Sequence, residues 1–211
     1  MSQNNKPVTN VEVVVLALGR LNGATRKVHT EHIAEEAHRL APDRFSWRLE
    51  EYRDRGWPDK EVVRSGLEDA AKEKNGVLVD GAHATDLSKD GWGLTVAGVE
   101  WLKTHADRVA TLLDLPKAAI PKIPKRDADR FVKQIRSQPL FKRHNSGRIS
   151  EGNRYEFTDM LNCSPDAPHD VIRAKFERLK AMAHQAGDKD VMMFLEECGI
   201  QFSEVLRTFQ S

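Results

Sequence analysis

Little in this chain is built for covalent cross-linking, metal capture or membrane insertion. Cysteine occurs twice, at Cys163 and Cys198, with no CxxC pair, which excludes a disulfide framework and a cysteine-based zinc ribbon. No apolar run approaches the roughly 20 residues that span a bilayer. The opening MSQNNKPVTN lacks the apolar stretch of a signal peptide. A cytoplasmic location without membrane contact is therefore expected. Neither sign of charge dominates, with 33 Lys and Arg against 32 Asp and Glu, so the whole chain offers no net attraction to a polyanion. There is no GxSxG, no phosphate-binding glycine loop and no nucleophile beside an evident base. Of the eight histidines, His29 and His32 come nearest to a ligand set, but they lack a cysteine or carboxylate at metal spacing. The expectation is a non-enzymatic protein without metal or cofactor.

What is present divides into two halves. All four tryptophans (Trp47, Trp57, Trp92 and Trp101) lie in the first. Residues 1–115 carry 16 basic and 19 acidic side chains, and residues 116–211 carry 17 and 13. Between them Pro116, Pro121 and Pro124 disfavour both helix and central strand. The expected organisation is a domain over 1–115, a basic proline-containing linker and helix over 116–149, and a helical domain over 150–211.

In the first half, β-branched residues at 11–15 suit a strand. The run 10–21 is too long for one, however, and closes on Asn22-Gly23, a helix C-cap pattern. Thr30 is placed to cap a second helix carrying Ile33, Ala37 and Leu40, which stops before Pro42. A third helix is expected over 59–73, with Val62, Val63, Leu67, Ala70 and Ala71 inward. Val77 and Val79, then Trp92 and Leu94, alternate as in a two-stranded ribbon with a long tip. Thr95 is placed to cap a last helix with Val99, Leu102, Ala106, Val109 and Leu113 on one stripe. This order, closing on GWGLTVAGVEWL, resembles the winged-helix fold of many bacterial proteins over roughly residues 8–113.

The second half shows three apolar stripes. Tyr155, Phe157, Met160 and Leu161 mark a short helix near 153–162. Ile172, Phe176, Leu179 and Ala183 mark one that ends at Gly187. Val191, Phe194, Leu195, Cys198, Phe202, Val205, Leu206 and Phe209 mark a long helix starting at Asp188. The stretch YEFTDMLNCSPDAPHDVIRAKFERLKAMAHQAG resembles the first two helices of a J domain, the Hsp70-binding module of DnaJ-type co-chaperones. Tyr155 and Leu161 match the family's first helix, Ser164-Pro165-Asp166-Ala167 its connector, and Ile172, Phe176 and Leu179 its buried positions. His184 falls on the histidine of the family's His-Pro-Asp tripeptide, which lies between the antiparallel helices and stimulates Hsp70. Gln185 and Ala186 replace the proline and the aspartate, so the resemblance implies the shape without the carboxylate that pairs with the chaperone.

The expected fold class is thus mainly α: a winged helix of three to four helices plus a β-hairpin wing, then a J-like antiparallel helical domain. Lys60, Arg64, Ser65 and Lys89 are the candidate nucleic-acid or partner contacts of the winged helix, with Arg20, Arg26, Lys27, Arg44 and Arg48 as contributors from turns. The stretch 59–74 carries net charge −1, which disfavours phosphate binding by that helix alone. Residues 117–148 hold ten basic side chains against two acidic ones. Of these, Lys122, Lys125, Arg126, Arg130, Lys133, Arg136, Lys142 and Arg143 are candidates to meet a polyanion or an acidic surface. Phe131 and Phe141 serve there either as core anchors or as base-stacking rings. Arg173, Lys175, Arg178, Lys180 and His184 form the candidate J-like partner face. The expected function is an adaptor or regulator that binds a partner protein, with DNA as a further partner. The alternatives are a homodimeric winged-helix transcription regulator and an Hsp70 co-chaperone with an atypical loop.

Overall fold

The computed structural model describes residues 6–87, 89–115 and 125–207. They form a mainly helical protein with one small antiparallel sheet, divided into two compact units with the boundary after Pro121.

The first unit begins with α1 (Asn10–Arg20), capped by a reciprocal Thr9–Glu12 box. Its run Val13–Leu18 is fully buried. That burial explains how a β-branched segment becomes a helix: α1 is enclosed by its neighbours, so packing overrides propensity. Around it lie α2 (Thr30–Leu40), the single turns α3 (Pro42–Phe45) and α4 (Glu50–Arg53), α5 (Lys60–Ala70), the hairpin β1 (Val79–Ala82) and β2 (Gly91–Leu94), and α6 (Val96–Leu112). Gly66 lets α5 approach Val14 of α1, and Gly19 lets α1 approach Leu102 of α6.

The sheet pairs Val79 with Leu94 and Gly81 with Trp92. Trp92 also exchanges both backbone hydrogen bonds with Val28, at 2.8 and 2.9 Å, so a third strand-like residue joins the ribbon. Several local expectations are revised. The N-cap of α2 is His29, whose Nδ1 accepts from the Glu31 amide, while Thr30 opens the helix. The third helix stops at Ala70, and a 3₁₀ turn follows at Glu73–Asn75. Val77 lies outside the strand, exposed and in left-handed geometry (φ 51°), because the chain must turn there to bring Leu78 and Val79 inward.

The second unit contains α7 (Lys125–Ser137), α8 (Pro139–Asn145), α9 (Arg154–Met160), α10 (His169–Ala186), α11 (Lys189–Gln201) and the turn α12 (Ser203–Leu206). Phe131, Ile135, Leu140, Phe141 and Ile149 share one core with Phe157, Ile172, Phe176, Phe194 and Phe202. The two phenylalanines of the basic segment are therefore core anchors, and the helices after the prolines belong to this unit. α10 and α11 are joined by Gly187 and Asp188 alone. Gly199 lies against Phe176, eleven residues from the turn on each side, as an antiparallel hairpin requires. The long last helix expected from Asp188 ends at Gln201. Phe202 leaves helical geometry and stacks on Phe157, with ring centroids 4.5 Å apart. Phe209, Pro116 and Pro124 lie outside the described residues.

Candidate functional site

Each cation proposed as a partner contact in the first unit's helix α5 and hairpin has a carboxylate beside it, set for Arg64 by helical spacing along α5. Arg64 is gripped by Glu61 three residues before it and by Glu68 four residues after it, the latter at 3.0 Å. The Arg64 hydrogen bond holds the Glu61 carboxyl below its ordinary range. Lys60 pairs with Glu31 at 3.4 Å, Lys72 with Asp69 at 2.7 Å and Lys89 at the hairpin tip with Asp86 at 3.4 Å. Ser65 is exposed. Of the turn residues, Arg20 is bound to Glu36, Arg26 to the Leu21 carbonyl and Arg44 to the Val8 carbonyl. Lys60 and Arg64 on α5 are thus each matched by a carboxylate.

The base of the hairpin tip carries a buried carboxylate that no motif announced. Asp90 Oδ1 accepts from the Thr30 amide at 2.8 Å and from the Thr30 hydroxyl at 2.7 Å. Its Oδ2 accepts from His83 Nδ1 at 2.5 Å and from the Ala84 amide at 3.3 Å. Trp92 Nε1 donates in turn to Thr30 Oγ1 at 3.2 Å. Burial pushes the Asp90 carboxyl up, but the four donors outweigh it and hold the group at about 2. His29 Nε2 stands 3.8 Å away and has no hydrogen-bond partner. The cluster ties the hairpin tip to the start of α2. Among the described residues no set of three His, Cys, Asp or Glu side chains suits a metal ion.

Composition alone also gave no sign of an aromatic ridge on the insertion between α2 and α5. Residues 46–58 are closed at their base by a Ser46–Pro58 bridge, above buried Phe45. Trp47 and Tyr52 lie 5.4 Å apart at 58°, and Tyr52 stacks on Trp57 at 5.8 Å and 13°. Arg55 lies over both Tyr52 (5.7 Å) and Trp57 (5.1 Å). Trp47 is 43% exposed, Trp57 47% and Leu49 59%. A signal was available in the i, i+5, i+10 spacing of the three rings within a polar loop.

In the second unit much of the basic segment supports its own fold. Arg136 bridges Asp188 and Asp190 and lies over Phe141, while Arg143 bridges Glu151 and Glu156. Arg130, Lys133 and Lys142 are exposed, with no ion pair among the described residues. Lys125 and Arg126 open α7, where only the backbone is described, and Lys122 lies outside the described residues.

On α10, Lys175 donates to the Asn162 carbonyl, and Lys180 sits beside Glu177 and over Phe176. Arg173 is exposed and Arg178 half-buried, each engaged in a contact of its own. His184, Gln185 and Ala186 form the last turn of α10, and Gly187 (φ 74°) caps it by donating to the Ala183 carbonyl. The expected loop site is therefore helical, since a two-residue connection cannot hold a three-residue loop. No described helix is long and apolar enough to cross a membrane. Comparison of the chain with family models, curated proteins and solved structures returns no match.

Proposed function

We propose that this protein is a non-enzymatic adaptor or regulator that works by binding a protein partner. In this reading the first unit is a winged helix and the second a J-like helical hairpin. The helix order, the hairpin and the Val28–Trp92 bridge support the first assignment. The antiparallel α10–α11 pair supports the second. The observation that carries the function is that the cations on and beside α5 are already paired: Lys60 and Arg64 on the helix, Lys72 just after it and Lys89 at the hairpin tip each have a carboxylate. A recognition helix reads DNA with cations and amides left over for phosphates and bases. Here an incoming phosphate would have to compete with a carboxylate at each of these four cations.

Titration of labelled random duplex DNA at about 50 and about 200 mM salt tests this. Salt-sensitive binding that disappears in Arg64→Ala overturns the reading. A second reading rests on exposed Arg130 and Lys133: contact with a phosphate backbone by α7 of the second unit. It predicts salt-sensitive binding that survives Arg64→Ala and is lost in Arg130→Glu/Lys133→Glu. For the co-chaperone alternative, stimulation of an Hsp70 ATPase that His184→Gln abolishes is the deciding result. The helical His184–Ala186 turn argues for no stimulation.

A further inference from the structure

We propose that the outward face of α11 is the partner-binding surface of the second unit and that it takes a basic amphipathic helix of a partner protein. The proposal rests on the protein-binding reading above. Two properties of the face select this ligand: exposed apolar side chains two turns apart, and more carboxylates than cations.

Val191, Phe194, Leu195 and Cys198 turn one side of α11 into the core. Met193 and Ile200 lie on the other side, 62% and 79% exposed. Seven residues make two helical turns, so these two side chains stand about 10 Å apart in one line. Apolar positions at that spacing fit the repeat of a second helix laid along the first. The flexible thioether of Met193 can adapt to the shape of what it meets.

Charge selects the partner. α11 carries Asp190, Glu196 and Glu197 against Lys189 alone. Counted around the helix, Glu196 and Glu197 fall on opposite sides of the line from Met193 to Ile200. Asp190 shares Arg136 with Asp188, and Glu197 is bound to His144. Glu196 is exposed and makes no ion pair among the described residues. The face therefore repels a phosphate backbone or an anionic membrane. It also repels its own copy, because α11 packed on α11 brings the glutamates of both chains together. A simple cation would satisfy the carboxylates but leave Met193 and Ile200 in water. A helix with leucines at i and i+7 and lysines beside them meets both demands.

The test uses the full chain and three synthetic peptides of about 15 residues, long enough to turn helical. The first has leucines at i and i+7 flanked by lysines, the second has glutamate for each lysine, and the third has glutamine for each leucine. Methyl signals of the methionines in carbon–proton NMR report where a peptide binds, and fluorescence anisotropy of the labelled peptide gives its affinity. The expected result is that the first peptide shifts the Met193 methyl and leaves that of buried Met160 in place. The glutamate peptide shifts neither, and the glutamine peptide binds about tenfold more weakly. Met193→Ala/Ile200→Ala, with unchanged circular dichroism, weakens binding of the first peptide by about tenfold, and Glu196→Lys weakens it several-fold at low salt. No Met193 shift with the first peptide, an equal shift with the glutamate peptide, or unchanged affinity in Glu196→Lys overturns the proposal. So does a dimer in light scattering that Ile200→Glu abolishes, because that outcome gives the face to a second copy. Failure of the peptide arm leaves the protein-binding reading standing, because that reading falls only to salt-sensitive duplex binding through Arg64.

Discussion

Replacing Asp90 by asparagine tests the physical account of the hairpin anchor most directly. In the native protein four donors converge on this side chain, whose carboxylate is fully buried. Its carboxyl is held at about 2 against an ordinary value of 3.8. A depressed carboxyl contributes stability that is fully present above its unfolded value near 4 and is lost as the pH falls through 2. The gap corresponds to about 2 kcal/mol. Asparagine keeps the shape but removes the charge and turns an N–H₂ toward the Ala84 amide and His83. The variant should therefore lose about 2 kcal/mol at neutral pH, a fall in urea midpoint of about 1 M. Towards pH 2 the wild type loses this stabilisation while the variant has none to lose, so the two curves converge. Tryptophan fluorescence is a clean probe, because all four tryptophans belong to the first unit. Thr30→Val, which removes one of the four donors, should cost about 1 kcal/mol. Wild-type and Asp90→Asn midpoints that fall in parallel from pH 5 to pH 2 would refute the reasoning.

Other consequences follow from particular contacts. A methyl group at Gly98 would overlap the Leu78 carbonyl oxygen, which is backbone and cannot swing aside. Gly98→Ala should thus cost about 3 kcal/mol in urea unfolding followed by tryptophan fluorescence, and a change below about 0.5 kcal/mol would contradict that packing. Gly187→Ala forces a side chain into left-handed geometry at the α10 cap and should cost about 1 kcal/mol in the second unit, measured by thermal circular dichroism. Burial pushes both thiols up, and Cys198 is fully enclosed while Cys163 is half-buried. In mildly alkaline buffer an aromatic disulfide reagent should modify Cys163 alone, with Cys198 reacting only after denaturant is added. Native labelling of Cys198 would place it outside the core.

Periodic apolar positions were legible in the sequence because burial on one helix face writes itself into the 3.6-residue spacing. Val63 and Leu67 on α5, Ile172 and Phe176 on α10, and Val191, Phe194, Leu195 and Cys198 on α11 all lie inside as that spacing requires. Boundaries set by single contacts were not legible. Phe202 fits the periodic stripe, yet it breaks the helix to stack on Phe157, a residue 45 positions away. Thr30 has the chemistry of an N-cap, but Asp90 takes its hydroxyl, and His29 caps instead. The pairing of the candidate cations was not legible for a related reason. Counting charge over 59–74 gives their sum, while the pairing of Arg64 with Glu61 and Glu68 depends on which face each occupies.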